Sequence, residues 1–134
     1  MDVNKIYSPI DIAVSGLRAQ RKHIEVISSN VANARTSDAG QGEPYRRLEA
    51  AIRAEHKGIS SVTVDEVVEA MGDFQRVFEP GSPLADDEGY VLMPNVSLPI
   101  EMMNLSIATR VYQANAAVLK RYQRMVETAL ELLR

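Results

Sequence analysis

Residues 100–134 read IEMMNLSIATRVYQANAAVLKRYQRMVETALELLR, and the reading of the fold starts there. The stretch holds neither Pro nor Gly, so nothing inside it interrupts a helix. Pro99, just before it, suits the first turn of a helix or its approach. At 1.5 Å per residue the segment reaches roughly 50 Å, more than a small domain needs. It also carries two apolar stripes. Met102, Leu105, Thr109, Tyr112, Ala116, Leu119, Gln123, Val126, Leu130 and Leu133 follow a 3,4 spacing. So do Ala108, Val111, Asn115, Val118, Tyr122, Met125, Ala129 and Leu132. One seam is what a helix needs to pack on one neighbour. A second seam predicts surface that only an assembly can cover.

Near the N-terminus, Ile10, Ala13, Leu17, Gln20, Ile24, Ile27 and Val31 form an unbroken heptad seam. Ser8, Pro9 and Asp11 suit a helix start, and the helix should fray around Asn33 to Thr36. Gly16 is its weak point, costing about 1 kcal/mol against Ala, and it would admit a close neighbour. A polar, turn-rich loop follows, TSDAGQGEP at 36–44.

The middle differs in character. Residues 45–55 fit either a helical turn (Leu48, Ala51, Ile52) or an edge strand after Pro44. Residues 59–68 are rich in β-branched side chains, and 76–78 and 90–93 read as short strands separated by PGSP and ADDEG turns. The expected fold is mainly α with a small β insert. A helix over 1–36 pairs in coiled-coil fashion with one over 98–134, as one discontinuous helical domain, and residues 37–97 form the insert.

Composition narrows the function classes. The 134 residues carry 15 Lys and Arg against 18 Asp and Glu, so no overall basic footprint points to nucleic acid. Charge is uneven, however: residues 56–100 have a net −6 and residues 9–36 a net +2, which could guide the packing of copies. The absence of cysteine removes disulfides, thiolate metal sites and cysteine nucleophiles. No apolar run is long enough for a membrane span, and the first residues lack the pattern of a cleaved secretion signal. His23 and His56 are the only histidines and stand far apart. No nucleophile elbow, phosphate loop or zinc spacing occurs, and Asp86-Asp87-Glu88-Gly89 reads as an acidic turn rather than a calcium loop. No catalytic, cofactor or metal residue is assigned. The side chains expected to matter are those that pack helices: Ile10, Leu17, Ile24, Ile27 and Val31 in the first, and in the second the two stripes, with Asn115 among the polar residues that could set register.

These same segments carry a family resemblance. Ser15-Gly16-Leu17-Arg18-Ala19-Gln20-Arg21, then Ile27-Ser28-Ser29-Asn30-Val31-Ala32-Asn33-Ala34 with Thr36, resembles the N-terminal signature of the axial proteins of the bacterial flagellum. Glu101-Met102, Arg110 to Asn115 and Met125 to Leu130 look like the closing helix of that family. Pro44 to Arg47, Glu79 to Asp86, Gly89-Tyr90-Val91 and Pro94-Asn95-Val96 are similar to the C-type branch of the proximal rod proteins. Where the family usually reads Asn-Ala-Asn-Thr, this chain has Asn33-Ala34-Arg35-Thr36. The resemblance implies a structural subunit of the basal-body rod, exported without a cleaved signal and assembled through its terminal helices to transmit torque. It implies as partners other rod proteins, the inner-membrane ring with its rod adaptor, and the export apparatus, in a hetero-polymer without cofactors, nucleic acid or membrane insertion. A soluble adaptor or export chaperone with one client is the alternative that the helices alone leave open.

Overall fold

A computed structural model describes residues 9–40, 42–54 and 62–133. The expectations resting on Ser8, His56, residues 59–61 and Arg134 lie outside the described residues. The described elements run α1 (Pro9–Ala32), β1 (Leu48–Ala54), β2 (Val62–Glu69), β3 (Gln75–Phe78), β4 (Tyr90–Met93) and α2 (Leu98–Glu131). Two long helices therefore frame a small β insert.

The helices pack antiparallel. Asn30 touches Glu101, and Gly16 lies against Asn115, so numbers that rise along α1 fall along α2. All seven residues of the α1 seam are at least half-buried, with Ile27 among the fully buried ones. A Cβ at Gly16 would stand 3.3 Å from the Asn115 amide nitrogen, so the glycine does admit a close neighbour. Both helix contacts keep the residue numbers at a constant sum of 131. Pro9, where the described part of α1 begins, thus lies opposite Tyr122, and Gln123 to Glu131 extend beyond it.

Pro99 stands in the first turn of α2, as its fixed φ favours, and the Glu101 N–H closes that turn on the Ser97 carbonyl at 3.0 Å. At the other end of the helical pair, Asn33 terminates α1. Its side-chain amide and its backbone N–H both donate to the Ser29 carbonyl, at 2.9 and 3.0 Å. Arg35, the departure from the family pattern, is exposed there.

Residues 48–54, open to either reading, form a strand. Alanine favours helix, but β1 pairs antiparallel with the valine-rich β2, whose ladder outweighs local propensity. A register shift between Ala51 and Ile52 kinks the pair. β3 and β4 make a second, separate antiparallel hairpin, in the register Gln75–Met93 to Phe78–Tyr90. β1 and β2 lie on α1, whereas β3 and β4 pack on no other described helix or strand.

Candidate functional site: a buried clasp and an open helix face

Where the insert meets the helices, the contacts are polar and buried. Asn30, near the end of α1, is 1% exposed. Its Oδ1 accepts from the Leu48 N–H at 2.8 Å and the Tyr45 hydroxyl at 3.0 Å. Its Nδ2 donates to the Leu48 carbonyl at 2.9 Å and to Glu101 Oε2 at 3.3 Å. One side-chain amide thus meets both backbone groups of Leu48, as a neighbouring strand would, and all its hydrogen-bonding positions are filled. Because the Tyr45 hydroxyl donates to Asn30, the Ser29 hydroxyl 3.2 Å away is the donor to Tyr45.

Glu101, in the first turn of α2, is also 1% exposed. A carboxylate that deep requires a cation and donors. Arg47 supplies its Nε at 2.7 Å on Oε1, and its NH1 turns to Glu49. Burial works against the Arg47 charge, but Glu101 and Glu49 outweigh it and hold the guanidinium more firmly protonated than usual. The Arg47 backbone is tied as well: its N–H donates to Asn95 Oδ1 at 2.8 Å and its carbonyl accepts from Ala70 at 2.8 Å. Asn95 Nδ2 then donates to the carbonyls of Ala70 and Gly72 at 3.0 and 3.3 Å. Pro94, next to it, is buried. The arrangement binds the end of α1, the start of α2 and the bases of both hairpins into one clasp.

Several signature residues therefore have a structural reason. Asn30, Asn33 and Asn95 hold backbone, Pro94 is buried at the clasp, and Gly16 admits Asn115. Ser15 donates to the Ile12 carbonyl within α1, and Ala32 ends that helix at the surface. Gly89 turns β4 with φ +82°, and a Cβ there would come 3.0 Å from Phe78. Tyr90 meets the Phe78 ring edge-on, centroids 5.3 Å apart. Arg47 and Glu101 have no role that periodicity or motif spacing reveals; they fall within the segments that resemble the family. The one local signal was an acid in the first turn of α2, which a helix dipole alone explains.

The packing residues on α2 divide differently from the two stripes. The least exposed side chains after Glu101 are Ala108, which is buried, and Asn104, Leu105, Thr109, Asn115, Ala116, Leu119 and Tyr122, which are half-buried. Leu105, Thr109, Ala116 and Leu119 come from the first stripe and Ala108, Asn115 and Tyr122 from the second, while Tyr112 of the first stripe is exposed. The line against α1 runs between the stripes because a helix buries one arc of surface, and each stripe touches that arc at only part of its length. Met102, Val126 and Leu130 of the first stripe remain exposed, as do Val111, Val118, Met125 and Leu132 of the second. Among the polar seam residues, Thr109 returns its hydroxyl to the Leu105 carbonyl at 2.8 Å and Gln123 is exposed. Asn104, which belongs to neither stripe, lies beside this line.

The remaining sequence features also have places. His23 lines an open groove of about 200 Å³ with Arg47, Glu49 and Asn30. The acidic turn is ordered by its own carboxylate: Asp86 Oδ1 accepts from the N–H groups of Tyr90 and Glu88, and Oδ2 accepts from Arg76 at 2.8 Å. Among the described residues, no helix is long and apolar enough to cross a membrane and no cluster of His, Asp or Glu could hold a metal ion.

Comparison with known proteins converges on one class. Residues 10–38 match the family described as "Flagella basal body rod protein", and residues 87–132 match "Flagellar basal body rod FlgEFG protein C-terminal". These are the two segments that the clasp joins. The chain is 42% identical over 125 residues to the flagellar basal-body rod protein FlgC of Salmonella typhimurium, covering 91% of this chain and 93% of that protein. It is 39% identical to FlgC of Agrobacterium fabrum (92% and 91% covered) and 33% identical to FlgC of Bacillus subtilis (94% and 97%). The chain belongs to the flagellar basal-body rod protein family, as a proximal rod protein of the FlgC type. It is accordingly a structural subunit of the basal-body rod that assembles with other flagellar rod proteins.

Proposed function

We propose that this subunit transmits torque along the rod by interlocking its terminal helices with those of its neighbours. The observation that carries the reading is the outer surface of α2. Ile107, Val118, Met125 and Leu130 are each more than half exposed there, on a helix already packed against α1. Surface of that kind on a structural subunit marks an interface. Many modest burials along two long helices sum to a stiff joint that resists twisting and sliding. The buried clasp has the complementary task of keeping the β insert rigid on the helical pair, so that load passes through it.

In this reading residues 1–36 and 98–134 act as one discontinuous helical unit and 37–97 as an appended one. The subunit reaches the periplasmic part of the basal body through the flagellar export apparatus, and meets the inner-membrane ring and its adaptor there. Val118→Asp tests the division between folding and assembly, because Val118 is 60% exposed whereas Leu119 is half-buried. The Val118→Asp monomer should melt within a few degrees of the parent, yet leave cells non-motile with basal bodies that lack a rod. Leu119→Asp should already lower the melting transition of the monomer. Full motility with Val118→Asp would overturn the assignment of this face to assembly.

A further inference from the structure

The β3–β4 hairpin presents an unusual outer face. Its paired positions alternate, and Val91, 2% exposed, marks the inner face, which it shares with its partner Val77, itself 37% exposed. The opposite set is Arg76, Phe78, Tyr90 and Leu92. Phe78 is 62% exposed, and Leu92 and Leu84 of the adjoining turn are both close to half exposed. The solvent side of a two-stranded sheet would ordinarily be polar. Around it stand the exposed carboxylates of Asp73, Glu79, Asp86, Asp87 and Glu88. The single cation, Arg76, is engaged by Asp86 at 2.8 Å and Glu88 at 3.2 Å and lies over the Tyr90 ring. The patch is apolar with an acidic rim.

The exposed side of α2 is its complement. Ile107, Val111, Val118 and Met125 recur at spacings that keep them on one side of a helix, with Arg110 and Arg121 flanking them. Between Met102 and Val126 the chain carries Arg110, Lys120, Arg121 and Arg124 and no Asp or Glu. Among the described residues none of these four cations is ion-paired. In this structure β3 and β4 make no contact with α2, and the far half of the stripe is out of the hairpin's reach within one chain. The hairpin is rooted at Asn95 beside the start of α2, and Arg121 lies roughly 35 Å further along that helix.

We propose that the outer face of the β3–β4 hairpin docks on the exposed Ile107–Met125 stripe of α2 in a second copy of this chain. Aromatic and leucine side chains cover the apolar stripe, while the hairpin carboxylates face Arg110 and Arg121. Two different patches make the contact heterologous, so each copy keeps one free patch of each kind and the contact extends from copy to copy. Opposite charges at its rim make association faster and salt-sensitive. The proposal rests on the assembly reading of α2 and names which surface covers part of it.

The chain has no cysteine, so introduced ones are unique. Full-length Asp87→Cys and Arg121→Cys chains are mixed at low salt and oxidised mildly. The mixed disulfide dimer should exceed, by about five-fold or more, that formed when Ser28→Cys on the exposed side of α1 replaces Asp87→Cys. High salt, Phe78→Ser in the first chain or Val118→Asp in the second should reduce it to that control level; both changed residues are well exposed, and a matching thermal transition confirms that each variant folds. A mixed dimer no more abundant than the control, or dimers of Asp87→Cys with itself in excess, would overturn the proposal. Basal-body incorporation of the parent chain is read separately by complementation. Normal incorporation with no specific cross-link therefore removes this docking mode and leaves the rod assignment standing.

Discussion

Asn30→Leu is the sharpest perturbation of the clasp. The substitution keeps the volume and removes two donors and two acceptor contacts at 2.8, 2.9, 3.0 and 3.3 Å. Tyr45 keeps Ser29 and Glu101 keeps Arg47, so these two lose about 0.5–1 kcal/mol each. Leu48 fares worse, because both its N–H and its carbonyl lose the Asn30 partner and have no other partner among the described residues in this part-buried site. Each such group in a part-buried site costs about 1–1.5 kcal/mol, the lower end of the usual range. The total is about 3–5 kcal/mol against the 5–15 kcal/mol typical of a domain. Urea unfolding followed by far-UV circular dichroism should show the midpoint falling accordingly, with the thermal transition about 10–15 °C lower. Asn30→Asp adds a second test. It preserves the acceptor for Leu48 and Tyr45 but sets a carboxylate against Glu101. Repulsion at that distance makes the variant least stable near neutral pH, and it should recover as pH falls toward the carboxylate range and one proton is taken up. A loss under about 1 kcal/mol for Asn30→Leu, or no pH dependence for Asn30→Asp, would refute the view that Asn30 holds insert and helices together.

Three further outcomes follow from the same geometry. Arg47→Met should cost about 3–5 kcal/mol by stranding buried Glu101, and adding Glu101→Leu should recover much of that loss in urea unfolding, since an apolar pair replaces an ion pair. Gly89→Ala should destabilise the second hairpin by about 1–3 kcal/mol, because φ is +82° and its Cβ would press on Phe78 and Pro80; nuclear Overhauser contacts between Phe78 and Tyr90 should weaken. The Tyr90 N–H, with Arg76 and the Glu88 N–H behind it, holds the Asp86 carboxyl below its ordinary value. A depressed folded value stabilises the turn above the unfolded value of about 3.9, and that contribution is lost as pH falls through the lower folded value. A carbon-detected titration of Asp86 should show the depressed midpoint, and Asp86→Asn should remove the acid-sensitive step.

Much of the framework was legible because it depends on short-range periodicity. The α1 seam from Ile10 to Val31 is spaced for one face, and every member of it is at least half-buried. The turn residues around Gly81 and Gly89 marked the second hairpin correctly, since positive φ and tight turns restrict residue choice locally. Residues 48–54 could not be resolved that way. Their alanines favour helix, and the decisive partner lies in Val62–Glu69, beyond any local window. The clasp was hidden for a similar reason: Asn30 and Glu101 are 71 positions apart, and Arg47 and Glu101 are 54 apart. Nothing within a few residues of any of them marks the site.

By itself, then, the chain determined two long helices, an excess of apolar surface on the second, and the family to which they belong, because hydrophobic period and turn chemistry are properties of neighbouring residues. How that surface is divided depends on contacts between residues far apart in the chain. The rotation of α2 about its axis is set by Gly16 against Asn115 and by Asn30 and Arg47 on Glu101. Those contacts draw the α1-facing line through Leu105, Ala108, Thr109, Asn115, Ala116, Leu119 and Tyr122, taking residues from both stripes. A helix with two equivalent seams has no local preference between them, and long-range polar contacts of fixed geometry break that tie.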